Sequence, residues 1–103
     1  MRRAAKVDAN QTAIVEALRK AGATVQSLAA IGDGCPDLLV GINGWTLLME
    51  VKDGEKVPSA RKLTSDQVVW HSKWMGGTLC IVESVDSALR FLNVAKQNIG
   101  AKP

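Results

Sequence analysis

CPDLLVGINGWTLLMEVK, residues 35–52, reads as a strand, a two-residue turn and a second strand: Asp37 to Ile42, then Asn43-Gly44, then Trp45 to Lys52. Asn-Gly between two β-rich apolar runs is a strong hairpin signal, because both central residues of a type I′ turn need positive φ. A two-residue turn also fixes the register. Ile42 then faces Trp45, Leu39 faces Leu48, and Asp37 faces Glu50. Facing Cβ atoms lie roughly 4.5 to 5.5 Å apart, and like charges set directly opposite are destabilising, so two carboxylates placed there call for a cation between them. Lys52 follows Glu50 by two residues and shares its face through the strand period. The open end of the hairpin thus gathers Asp, Glu and Lys.

Working outward, the chain before the hairpin predicts a helix from about Asn10 to Ala21, with Asp8 as N-cap, Gln11 three residues on as in a capping box, and Gly22 as the stop. Ile14, Leu18 and Ala21 share its apolar stripe, Gln11 lies at the stripe's edge, and Glu16 falls on the solvated side. Thr24 to Leu28 is a weak first strand, and Gly32-Asp33-Gly34 a loop that Pro36 stiffens. After Lys52, residues 53–63 form a polar, exposed and mobile loop. Thr64-x-x-Gln67 repeats the capping-box pattern and opens a second helix to about Met75. Gln67, Trp70, His71 and Trp74 share one face of it, expected to look inward. Thr78 to Glu83 is a continuous apolar strand, parallel to the hairpin's second strand because a helix connects the two. Ser84 or Asp86 caps a last helix through about Asn98, and 99–103 is a tail. The expected fold is α+β, in the order α-β-β-β-α-β-α, a mixed four-stranded sheet flanked by helices, as one domain over residues 1–103.

Composition bounds the class. The 103 residues, 47% apolar and 22% charged, suit one soluble globular domain with a single core. No apolar run approaches the roughly 18 to 20 residues of a membrane span, and the basic start is not followed by a signal sequence, so a cytoplasmic protein is expected. Cys35 and Cys80 lack paired spacing and are read as reduced, Cys80 as a small core residue. The net charge of +3 gathers in a basic arm over residues 1–8, with Arg2, Arg3 and Lys6, and near the middle, with Lys52, Lys56, Arg61 and Lys62. This permits nucleic-acid binding without requiring it.

Metal-assisted phosphodiester cleavage needs a divalent cation to neutralise phosphate and activate water, and Mg²⁺ takes one or two carboxylates plus waters. Asp37 and Glu50 offer that set. The alternative is two surface acids with Lys52 as an ion-pair partner worth ~0 to 1 kcal/mol. It explains less, because Glu50 and Lys52 sit inside the otherwise apolar strand TLLMEVK, where charges are disfavoured unless compensated.

Pro36-Asp37, then 12 residues, then Glu50-Val51-Lys52 resembles the motif of the PD-(D/E)XK nucleases, whose core is α-β-β-β-α-β. The flanking runs GDGCPDLLVG, MEVKDG and SARKLTSDQVVWH are similar to small phage-type members of the VRR-NUC and Holliday-junction-resolvase-like branch. The resemblance spans about Asp8 to Leu92. It implies Asp37 and Glu50 as metal-binding acids, the Val51 main-chain carbonyl as a third ligand, and Lys52 as the residue that orients or polarises the attacking water. It further implies a Mg²⁺ or Mn²⁺ dependent DNA endonuclease acting on branched or structured DNA, as a homodimer, leaving a 5′-phosphate and a 3′-hydroxyl. The family often carries a glutamate on its first helix, and here that position holds Gln11, a poorer ligand that puts a second metal in doubt. Gln67 matches a glutamine that faces the site in related nucleases, and reads equally as a capping-box residue. His71 reads first as a hydrogen-bonded core residue and second as a group touching substrate or water. Ser59 and Arg61 read as phosphate contacts or as an ordinary solvated loop. Two other functions stay open: a non-catalytic nucleic-acid-binding module on the same fold, and a scaffold domain, which leaves the facing acids unexplained.

Overall fold

The computed structural model describes residues 8–97. Arg2, Arg3, Lys6, the expected helix end at Asn98 and the tail lie outside the described residues. The hairpin forms in the expected register: β2 (Leu38–Ile42) pairs antiparallel with β3 (Trp45–Val51), Ile42 opposite Trp45 and Leu38 opposite Met49. Asn43 and Gly44 have φ of 50° and 82°, the positive values a type I′ turn demands. One further step along the ladder would set Asp37 opposite Glu50. Regular pairing nevertheless stops at Leu38. In this alternation the next hydrogen-bonded pair would be Pro36 with Val51, and proline has no N–H to exchange. The Val51 N–H donates instead to Asp37 Oδ2 at 2.7 Å.

β1 (Thr24–Ser27) adds antiparallel to β2, and β4 (Thr78–Val82) adds parallel to β3, giving a four-stranded mixed sheet in the order β1-β2-β3-β4. The parallel pair needs a crossover, supplied by α2 (Ser65–Lys73). Period two divides β3 between two faces. Leu47, Met49 and Val51, with Leu38, Val40, Ile42, Cys80 and Val82, pack under Ile14 and Leu18 of α1 (Gln11–Lys20) and Ala88, Leu92 and Ala95 of α3 (Val85–Gln97). Glu50 and Lys52 point to the other face, where α2 lies.

The helix ends show where local patterns decide. α1 closes in a Schellman arrangement: the Gly22 N–H donates to Arg19 O and the Ala23 N–H to Leu18 O, with Gly22 at φ 103°. Its start differs from the expected capping box. Asn10 is the N-cap and makes no side-chain cap bond, Asp8 instead pairs with Lys56 at 3.7 Å, and the Gln11 side chain is buried. Asn10 Nδ2 donates to both Lys52 O and Glu83 O at 3.1 Å, which pins the start of α1 to the ends of β3 and β4. Of the two candidate caps of α3, Ser84 serves: its Oγ accepts from the Ser87 N–H at 3.1 Å.

α2 departs further. It ends at Lys73, because Trp74 already has a non-helical ψ of 126°, and none of its residues is fully buried. The helical spacing therefore stops before Trp74. Trp70 and His71 are 100° apart on the helix, and Gln67 and His71 are the side that reaches the sheet. Trp70 is half-buried, Trp74 is 40% exposed and Met75 is 96% exposed, so the two indoles are not core residues as expected. Residues 53–63 are largely exposed and contain a 3-10 turn, Pro58–Arg61.

Candidate functional site

Glu50 is the centre of the site, with 1% of its surface exposed. It leaves β3 on the α2 face, so its carboxyl meets α2 side chains rather than the apolar core. Gln67 Nε2 donates to Glu50 Oε2 at 3.1 Å, and His71 Nε2 lies 3.3 Å from Glu50 Oε1. These residues are four apart on α2 and rise on one side, one turn above the other. Lys52, two residues along β3 and 8% exposed, donates from Nζ to Gln67 Oε1 at 2.8 Å.

Gln67 shows that its two sequence readings are compatible. Its Oε1 also accepts from the Thr64 N–H at 2.9 Å, while its own N–H donates to Thr64 Oγ1 at 3.3 Å, a complete capping box. One carboxamide thereby starts the helix, holds the Lys52 ammonium and bonds to Glu50. The amide orientation is determined by these partners, since the oxygen end meets two donors and the nitrogen end meets a carboxyl. The first turn of α2 is set from beneath by Gly34, at φ 83°, where a Cβ would overlap the Asp66 carbonyl.

The electrostatics follow from burial and pairing. Desolvation, then a hydrogen bond and repulsion from Asp37, push the Glu50 carboxyl up to about 9, against the pull of Lys52. Desolvation and, after it, the Lys52 charge hold the His71 imidazole below its ordinary value. At neutral pH the Glu50–His71 contact is thus a hydrogen bond between neutral groups rather than an ion pair. Lys52, whose charge pulls on Glu50, is bonded to Gln67 instead of to either carboxyl. With the half-buried Asp37 beside the buried Glu50, the arrangement without a cation favours a protonated Glu50.

The remaining expected residues divide. Gln11 is 5% exposed, and its Oε1 is buried without a hydrogen-bond partner among the described residues. Arg61 donates from Nη1 to Glu83 Oε2 at 3.2 Å, and its Nε is buried without a partner among the described residues, so this guanidinium is engaged with the end of β4. Ser59 is exposed on the 3-10 turn and is not brought to the Glu50 cluster by any hydrogen bond. Two residues near the site carried no functional reading in the sequence. Burial first, and then the charges of Glu50 and Asp37, raise the Cys35 thiol above the usual range. Adjacency to Pro36-Asp37 was the signal available. Asn10, the clamp on Lys52 O and Glu83 O, had none, because its partners are backbone atoms distant in sequence.

As to a metal, among the described residues no three or more His, Cys, Asp or Glu side chains are grouped so as to hold an ion by themselves. The oxygen donors that the structure brings together are fewer: the carboxyl oxygens of Asp37 and Glu50. All are hard oxygens, which suit Mg²⁺ or Mn²⁺ better than softer ions. Among the described residues no helix is long and apolar enough to cross a membrane. No protein-family model, curated protein or solved structure matches the chain.

Proposed function

We propose that the chain is a divalent-metal-dependent DNA endonuclease with a restriction-endonuclease-like core of the PD-(D/E)XK type. The observation that carries this reading is a Glu50 carboxyl buried at the end of β3 beside Asp37, bonded to Gln67 and His71 on its α2 side, a place where a divalent cation would replace a proton. Asp37, Glu50 and the Val51 main-chain carbonyl would hold Mg²⁺ or Mn²⁺, with Gln11 Oε1 as a weak further donor or as acceptor for a bound water. When bound, the cation neutralises phosphate charge and acidifies water. Lys52 orients the attacking water and stabilises the charge that grows at phosphorus. Gln67 sets the reach of that ammonium, and His71 holds the second oxygen of Glu50. Attack by water at phosphorus breaks the bond to O3′, leaving a 5′-phosphate and a 3′-hydroxyl. Branched DNA as substrate and a homodimer as the acting form follow from the resemblance of the motif and its flanking runs. Two strands cut symmetrically require two sites.

The test incubates the protein with supercoiled plasmid, linear duplex and a four-way junction in Mg²⁺, Mn²⁺ or EDTA. Metal-dependent cutting, lost in each of Asp37→Ala, Glu50→Ala and Lys52→Ala, is expected. Tight DNA binding with no cutting in either metal sinks the enzyme and leaves a binding module on this fold.

A further inference from the structure

The chain has three Trp and one Phe, and two of them, Trp70 on α2 and Trp74 just past its end, are locked together outside the core. Trp70 and Trp74 stack with ring centroids 5.2 Å apart and planes 16° apart. Trp74 Nε1 donates to Gly77 O at 2.8 Å, and Gly76 lies against the same ring so closely that a Cβ there would overlap it. These contacts hold an indole that is 40% exposed. Beside the pair runs an open groove of about 380 Å³, lined by Asp33, Asp66, Val69, Trp70, Lys73 and Trp74.

We propose that this groove takes an unstacked nucleobase from the nucleic acid that reaches the Asp37–Glu50 pair. The proposal rests on the nucleic-acid reading above. An aromatic wall fixed in advance offers a π-face or edge to any base at little ordering cost. The charges select a base over a backbone. Lys73 at the rim meets a flanking phosphate, whereas Asp33 and Asp66 repel phosphates and accept hydrogen bonds from exocyclic amino groups, as carboxylates do from cytosine N4. Adenine, cytosine and guanine carry such groups and thymine does not. Location supports the same occupant. The groove is on the helix that presents Gln67 and His71 to Glu50, and the Trp70 ring meets the His71 ring edge-on with centroids 6.4 Å apart. A base displaced at a junction or flap would enter the groove while its strand passes the carboxyl pair.

Binding of the full chain is measured in EDTA, so that no cutting intervenes, to a duplex with one unpaired cytosine, one unpaired thymine, or none. The expected order is cytosine over thymine over fully paired, with roughly tenfold between the extremes, within the range base stacking supports. Trp70→Leu and the exposed-site variant Val69→Glu should each abolish the difference, and Trp70→Phe should restore most of it. Circular dichroism checks that each variant is folded. A preference that survives either Trp70→Leu or Val69→Glu overturns the proposal, as does a change from dimer to monomer in sedimentation caused by Val69→Glu, which would make the groove a contact between copies. Preference without metal-dependent cutting in the plasmid assay supports the groove and sinks the nuclease. Cutting without preference does the reverse.

Discussion

Glu50 and Gln67 carry most of what is testable at the level of single residues. Between about 4.5 and 9 the folded chain keeps a proton on Glu50 that the unfolded chain has released. The stabilisation is full below the lower value and falls as pH rises through that window, by at most about 1.4 kcal/mol per pH unit. Thermal denaturation in EDTA from pH 5 to 9 should therefore show a declining midpoint, and Glu50→Gln, which copies the protonated form, should flatten the decline. Calorimetry of Mg²⁺ binding in two buffers of different ionisation heat should show proton release, because the cation displaces that proton. Gln67→Ala removes the reciprocal cap and both site contacts at once. A loss of about 1 kcal/mol in stability, read by urea denaturation, and a fall of roughly 10- to 100-fold in cleavage rate are expected. The acids and Lys52 were legible in sequence because the hairpin register is arithmetic. Gln11 was legible as a position but not as a buried oxygen without a partner, since that depends on how α1 sits over the strand ends.

Among the elements, the hairpin and α2 contrast. The turn fixes the face of every residue in β2 and β3, so inserting one glycine between Asn43 and Gly44 should disturb the pairing from Leu38–Met49 to Ile42–Trp45 that brings Asp37 beside Glu50. Cleavage should vanish while circular dichroism still reports sheet. Gly34→Ala strikes α2 from outside: it places a side chain at φ 83° and against the Asp66 carbonyl, and should lower stability by roughly 1 to 3 kcal/mol and shift the first turn that holds Gln67. Strand and helix locations came through in sequence because apolar period and turn residues mark them. The outward setting of Trp70 and Trp74 did not, because a helical stripe says which residues are neighbours, not which neighbour meets the sheet. That was decided by the polar contacts of Gln67 and His71 and by a helix that stops at Lys73.

Across the whole molecule, the two faces of the sheet are unequally covered. α1 and α3 bury Ile14, Leu18, Ala88, Leu92 and Ala95 against one face, whereas α2 buries no residue fully against the other. Local opening follows buried apolar contact, so amide hydrogens of α2 should exchange well before those of α1 and α3. If Mg²⁺ tightens Glu50, Gln67 and Lys52 into one cluster, its addition should slow exchange in α2 and leave α3 unchanged. Equal protection of all three helices without metal would contradict this division.

From Met49 to Lys52 apolar and charged residues alternate one by one, and this sets stability against function at Glu50. A buried carboxyl facing another is a weakness of the fold that a neutral isostere relieves, so selection of random variants for heat resistance alone should enrich Glu50→Gln, most strongly at alkaline pH, while conserving Met49 and Val51. Selection for DNA cutting should hold Glu50 fixed and accept the weaker fold. The neighbouring positions of one strand would then answer to two different pressures, read from opposite sides of the same sheet.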